Sequence, residues 1–241
     1  MNYAQAIVVG ASSGLGRALT DLLAADGCRV AAVAPAGDEL QACAAAHPGL
    51  VFPVPHDVRD YSQAPALFQD ACKQLGGLDL IVYCAGVMPE VGPGEYDFEK
   101  DRAMTEVNLL GAIAWLNEAA RRFEGTARGT IVAIGSVAGD RGRRDRPVYN
   151  ATKAALATYM EALRNRLSRA GVKVVTIKPG PMRTPMTAHL NLRKAMEPEI
   201  AAALVLKKAR RTGEHYLKLS HRVIFAAIRA TPSFIFRRLK V

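Results

Sequence analysis

The feature that most narrows the fold is an alternation of short apolar runs with segments of helical period. Ala6-Ile7-Val8-Val9 opens the series as a continuous apolar run, the pattern of a strand buried on both faces. CRVAAVA (28–34), LVFPV (50–54), LDLIVYCAG (78–86), GTIVAIGSVAG (129–139) and VKVVTIKPG (172–180) continue it. RALTDLLAADG, GDELQACAAAH and YSQAPALFQDACKQLG read as helices between them. Strands alternating with helices predict an α/β fold: a doubly wound, Rossmann-like parallel sheet with right-handed crossovers. At 241 residues, half of them hydrophobic, one large-cored domain is expected.

Ligands of such sheets bind beyond the carboxyl ends of the strands. Gly10, Asp57, Gly86, Ser136 and Pro179 all fall at or just past those ends. After the first strand comes GASSGLG (10–16), then a helix. That geometry offers bare backbone N–H groups and a helix N-terminus to a phosphate. Its glycine spacing departs from G-x-G-x-x-G, so the turn alone is a weak signal.

PVYNATKAALATYMEALRNRLSRAG predicts a long helix opened by Pro147 and closed by Gly171. Tyr149 and Lys153, four apart, share one face of it, thirteen residues after Ser136. An ammonium one turn away favours the phenolate, so the tyrosine pKa is expected to be lowered and the pair to serve as a proton-transfer device.

Collected in order, these motifs resemble those of a compact, single-domain short-chain dehydrogenase/reductase. The resemblance spans Ala6 to about Met186 and rests on GASSGLG, Asp57-Val58, CAG (84–86), Asn108 in EVNLLG, Ser136 in IGSVAG, YNATK (149–153) and PGPMRT (179–184). It implies an NAD(P)-dependent oxidoreductase that interconverts a carbonyl and an alcohol. Ser136 would hold the substrate oxygen, and Tyr149 would exchange a proton with it. Lys153 would tune the tyrosine and bond the nicotinamide ribose, and Asn108 would kink its helix to hold a relay water. Gly10, Ser12, Ser13, Gly14, Leu15 and Gly16 would wrap the pyrophosphate and adjacent ribose. Asp57 and Val58 would sit at the adenine, Ala85 and Gly86 against the ribose, and Thr184 near the carboxamide, with Pro179 and Gly180 also binding the cofactor. A non-catalytic NAD(P) sensor on the same fold is the alternative, which the intact Ser136, Tyr149 and Lys153 oppose.

The chain departs from that pattern in four places. Tyr83-Cys84 stands where paired asparagines are common, and their loss is expected to loosen the neighbouring strand. No acid closes the second strand at Ala34-Pro35-Ala36-Gly37, which favours NADP(H) over NAD(H). Yet no arginine stands at Ser13 or Pro35 to replace it, and Arg17 is a weak substitute. The loop DRGRRDR (140–146) is basic beside the expected substrate entrance. Its Arg141, Arg143, Arg144 and Arg146 suit a phosphate, a carboxylate, coenzyme A or an acidic carrier, or simply a solvated loop.

The fourth departure is the ending. Residues 1–190 read as the catalytic core and 191–241 as a C-terminal extension. In it PEIAAALVLKKARR is an amphipathic helix and EHYLKLS a seventh strand. HRVIFAAIRATPSFIFRRLKV then mixes apolar and basic residues. A lid over a hydrophobic or acyl-type substrate, or a subunit contact, is expected ahead of a membrane-surface segment. Much of the net charge of +10 lies beyond Arg193 and in 141–146, without a recognition motif, so nucleic-acid contact would be non-specific at most.

The four cysteines have neither metal-ligand nor redox spacing, no metal site is expected, and no apolar run is long enough to span a bilayer. With an N-terminus that enters the fold at once, a cytoplasmic homodimer or homotetramer, peripheral to a membrane at most, is the expectation. Its partner is a small carbonyl or alcohol substrate, lipid-like or carrier-linked.

Overall fold

The computed structural model describes residues 3–92, 94–190 and 195–239. The residues just beyond the expected 190/191 boundary, and Lys240 of the tail, lie outside these. Seven strands form one sheet: β1 (Gln5–Val9), β2 (Arg29–Ala34), β3 (Val51–Pro55), β4 (Leu80–Tyr83), β5 (Thr130–Ile134), β6 (Lys173–Lys178) and β7 (Gly213–Tyr216). The order is β3-β2-β1-β4-β5-β6-β7, and every pair is parallel. Each apolar run of the sequence is a strand because it must be buried on both sides. Ile7 and Val9 point into one layer and Ala6 and Val8 into the other, and all four are buried.

Two helical layers cover the faces. α1 (Gly14–Ala25), α2 (Asp38–Ala45) and α7 (Pro198–Lys208) supply one core. α3 (Ala64–Leu75), α5 (Gly111–Thr126) and α6 (Pro147–Arg166) supply the other. Here Trp115, Phe68 and Phe123 are fully buried. Residues 195–217 belong to this body: α7 packs on α1, and β7 extends the sheet from β6. α8 (Leu219–Ala230) and α9 (Ser233–Phe236) add no residue to either core.

Two local details differ from expectation. α6 ends at Arg166 rather than at Gly171, which instead takes a left-handed φ of 68° in the turn into β6. α4 (Phe98–Thr105) and α5 are joined by a π turn, Glu106–Leu110, which carries the expected irregularity at Asn108.

Candidate active site

The strand order reverses between β1 and β4, and there the carboxyl ends open into a cleft of about 1160 Å³. Gly10, with φ 88°, starts the turn out of β1, and its N–H donates to Val33 O across to β2 at 2.7 Å. Gly16 lies directly beneath. A Cβ on Gly16 would come within 1.8 Å of Gly10 O, so α1 can start there only with glycine. The result is an exposed backbone cradle at a helix N-terminus, suited to an anionic group.

Nearly every residue expected from sequence lines this cleft: Gly10, Ser12, Ser13, Gly14, Leu15 and Gly16, then Asp57, Val58, Ala85 and Gly86, then Ser136, Tyr149 and Lys153, and finally Pro179, Gly180 and Thr184. Asn108 is the exception. It is fully buried beneath the wall, where its Oδ1 accepts from Val87 N at 2.7 Å and its Nδ2 donates to Val87 O at 3.0 Å. Asn108 thereby fixes the strand-end loop after Gly86.

Ser136 caps the 3₁₀ turn Val137–Asp140, its Oγ accepting from Ala138 N at 3.0 Å. Ser136 lies near enough to the Tyr149 hydroxyl to favour its ionised form. One turn on, Lys153 Nζ donates to Ile134 O at 3.1 Å and lies 5.8 Å from the centre of the Tyr149 ring. The expected lowering of the tyrosine pKa does not appear here. Burial pushes Tyr149 above its usual value, while Ser136, Arg146 and Arg143 pull it back only in part. Lys153 itself bears the cost, with burial holding its ammonium down to about 8. Tyr149 is thus a protonated donor in this arrangement.

Burying Lys153 sets up a pH-dependent test. Its pKa of about 8 lies below the 10.5 of the unfolded chain, so the unfolded state binds more protons between those values. The penalty is complete below pH 8 and fades as the pH rises to 10.5. Lys153→Met should therefore raise the stability of the cofactor-free protein by roughly 3 kcal/mol at neutral pH. Urea denaturation should show the two proteins converging in alkali. A constant difference would contradict the buried-charge account.

Tyr83 corrects the expectation drawn from the missing asparagines. Its buried hydroxyl donates to Val107 O in the π turn at 2.6 Å, so β4 is tied to the Asn108 segment by another route. Arg17 does not line the cleft; its Nε donates to Asp21 at 2.9 Å. Sequence reasoning missed Arg59. It lines the cleft with Ala34 and Pro35, and its Nε donates to both carboxylate oxygens of Asp57 at 3.0 Å. The signal was its place two residues past Asp57, in the turn that follows a strand neighbouring β2. In the basic loop, Arg141 is committed to the tail, donating to Arg229 O at 3.0 Å and lying 4.7 Å from the Phe236 ring centre. Arg143 and Arg146 line the cleft.

The chain matches the family model for short chain dehydrogenases over residues 4–195. It belongs to the short-chain dehydrogenase family. An uncharacterized oxidoreductase of Myxococcus xanthus is 38% identical over 194 residues, covering 79% of this chain and 77% of the relative. Another from Staphylococcus haemolyticus is 31% identical over 209 residues, 85% and 90% of the two chains. A Burkholderia cenocepacia short chain dehydrogenase solved with NADP superposes with a TM-score of 0.86 at 24% identity, covering 99% and 98% of the chains. The protein is accordingly an oxidoreductase with the fold of this family, and its Ser136, Tyr149 and Lys153 stand together at the switch point of the sheet.

Proposed function

We propose that this oxidoreductase is an NADP(H)-dependent carbonyl reductase acting on a hydrophobic or acyl-type ketone. The carrying observation is the convergence of Ser136, Tyr149 and Lys153 in one cleft with the Gly10–Gly16 cradle. The cradle fits a dinucleotide, because glycine at 16 lets α1 close against Gly10 O and sets the helix N-terminus in the cleft wall. Bound there, the nicotinamide supplies the hydride. The chain's own groups do the rest. Ser136 Oγ and the Tyr149 hydroxyl donate to the carbonyl oxygen where negative charge develops. Tyr149 passes its proton to that oxygen as it becomes a hydroxyl. Lys153, whose pKa of about 8 leaves it largely charged at neutral pH, stabilises the phenolate as it forms. Apolar Met88, Val137 and Met186 in the lining support an apolar substrate, and Arg143 and Arg146 support one with an anionic end. The sensor alternative is not favoured, since a sensor has no need of a proton donor placed this way.

Turnover is tested by the loss of near-ultraviolet absorbance of NADPH or NADH against a panel of ketones, acyl thioesters and sterols. Oxidation of neither cofactor with any of them would count against the reading. Arg59 is the expected partner of the 2′-phosphate. Arg59→Ala should raise KM for NADPH about tenfold, the worth of one charge-assisted hydrogen bond, with little change for NADH. An equal effect on both cofactors would remove Arg59 from that role.

A further inference from the structure

α8 is docked on the body by His221, Phe225 and Ile228, which follow one face at helical spacing and are half-buried. His221 packs on Gly180 of the cleft, where a Cβ would fall 2.1 Å from its ring, and Phe225 lies 5.9 Å below Arg143. The opposite face should be polar if water covered it. Instead it presents Leu219, Val223, Ala226, Ala227 and Ala230, with Leu219 75% and Val223 65% exposed. Phe234, Ile235 and Leu239 continue the apolar surface through α9 at 58%, 43% and 44% exposure. Arg222 and Arg229, seven apart, form one flank of α8, and Arg237 and Arg238 are exposed beside α9.

From His215 to Val241 the sequence holds six Lys or Arg and no Asp or Glu. This charge decides the occupant. Self-association through a two-fold contact sets the same patch against itself, and here that would oppose arginines to arginines. An anionic bilayer surface satisfies both features: the apolar face enters the headgroup boundary, and the arginines reach the phosphates. No helix among the described residues is long and apolar enough to cross a membrane, so the contact is peripheral. We infer that α8 and α9 form a membrane-surface anchor selective for anionic phospholipid.

The test is co-sedimentation of the full chain with phosphatidylcholine vesicles, with and without phosphatidylglycerol. Binding should require phosphatidylglycerol and weaken as salt rises. Arg222→Gln with Arg229→Gln should weaken it roughly 30-fold, since each basic residue near such a surface counts for about fivefold. Leu219→Glu with Val223→Glu should abolish it. Both pairs lie on the exposed side, and unchanged thermal melting would show that the fold is intact. Failure to sediment with anionic vesicles at low salt would overturn the proposal. So would a solution dimer that Val223→Glu dissociates, which would assign the face to a second copy, and so would equal binding to neutral vesicles.

Discussion

Tyr149→Phe is expected to lower turnover by roughly 10²–10⁴-fold, the usual worth of a positioned general acid, while leaving cofactor affinity within about twofold. The substitution removes one oxygen and keeps the ring, so the cleft wall is preserved. What is lost is the proton that burial keeps on the phenol. Steady-state turnover measured beside cofactor titration separates these outcomes. A variant that turns over normally would place the proton donor elsewhere. A wild type that binds cofactor but oxidises none of it, whatever ketone is offered, would favour a sensor.

The second large effect is structural. Lys178, at the carboxyl end of β6, is buried and lies 2.6 Å from Asp140 and 2.8 Å from Glu214. The Tyr216 hydroxyl donates to the other Asp140 oxygen at 2.8 Å. Asp140 closes the 3₁₀ turn that Ser136 opens, so this network fixes the far end of the catalytic loop to β6 and β7. Lys178→Met would leave the Asp140 carboxylate buried with a single hydroxyl partner. The expected loss is about 3–5 kcal/mol. Thermal melting should then fall by roughly 10 °C or more. Adding Asp140→Leu should recover much of that loss, because an apolar pair avoids the stranded charge. If the double variant were no more stable than Lys178→Met alone, the stranded carboxylate would not be the cause of the loss and the desolvation argument would fail.

The sheet was legible in the sequence because six of its strands are buried on both faces, which forces unbroken apolar runs such as Ala6–Val9. The residues around the cleft were legible because they follow those runs directly. What remained hidden depends on neighbours far apart in sequence. Arg59 reaches the end of β2 only because β3 lies beside it in the sheet. Lys178 looks like a stray charge on an apolar strand until Asp140, 38 residues earlier, is brought under it. The basic loop gave no hint that Arg141 would clamp the end of α8, where free carbonyls favour a cation. Tyr149 and Lys153 show a further limit. Helical spacing placed them together, but the sign of the tyrosine shift follows from burial, which spacing does not report.

The central claim is that the phenol of Tyr149, the Ser136 hydroxyl and a nicotinamide meet over one carbonyl. A crystal structure of the full chain with NADP tests it most directly. The pyrophosphate is predicted to rest on the backbone of Gly10 to Gly16, with the nicotinamide ring close enough to the Tyr149 hydroxyl for one carbonyl to be within about 3.5 Å of both. A ring turned away from Tyr149, or a pyrophosphate bound outside the glycine turn, would contradict it.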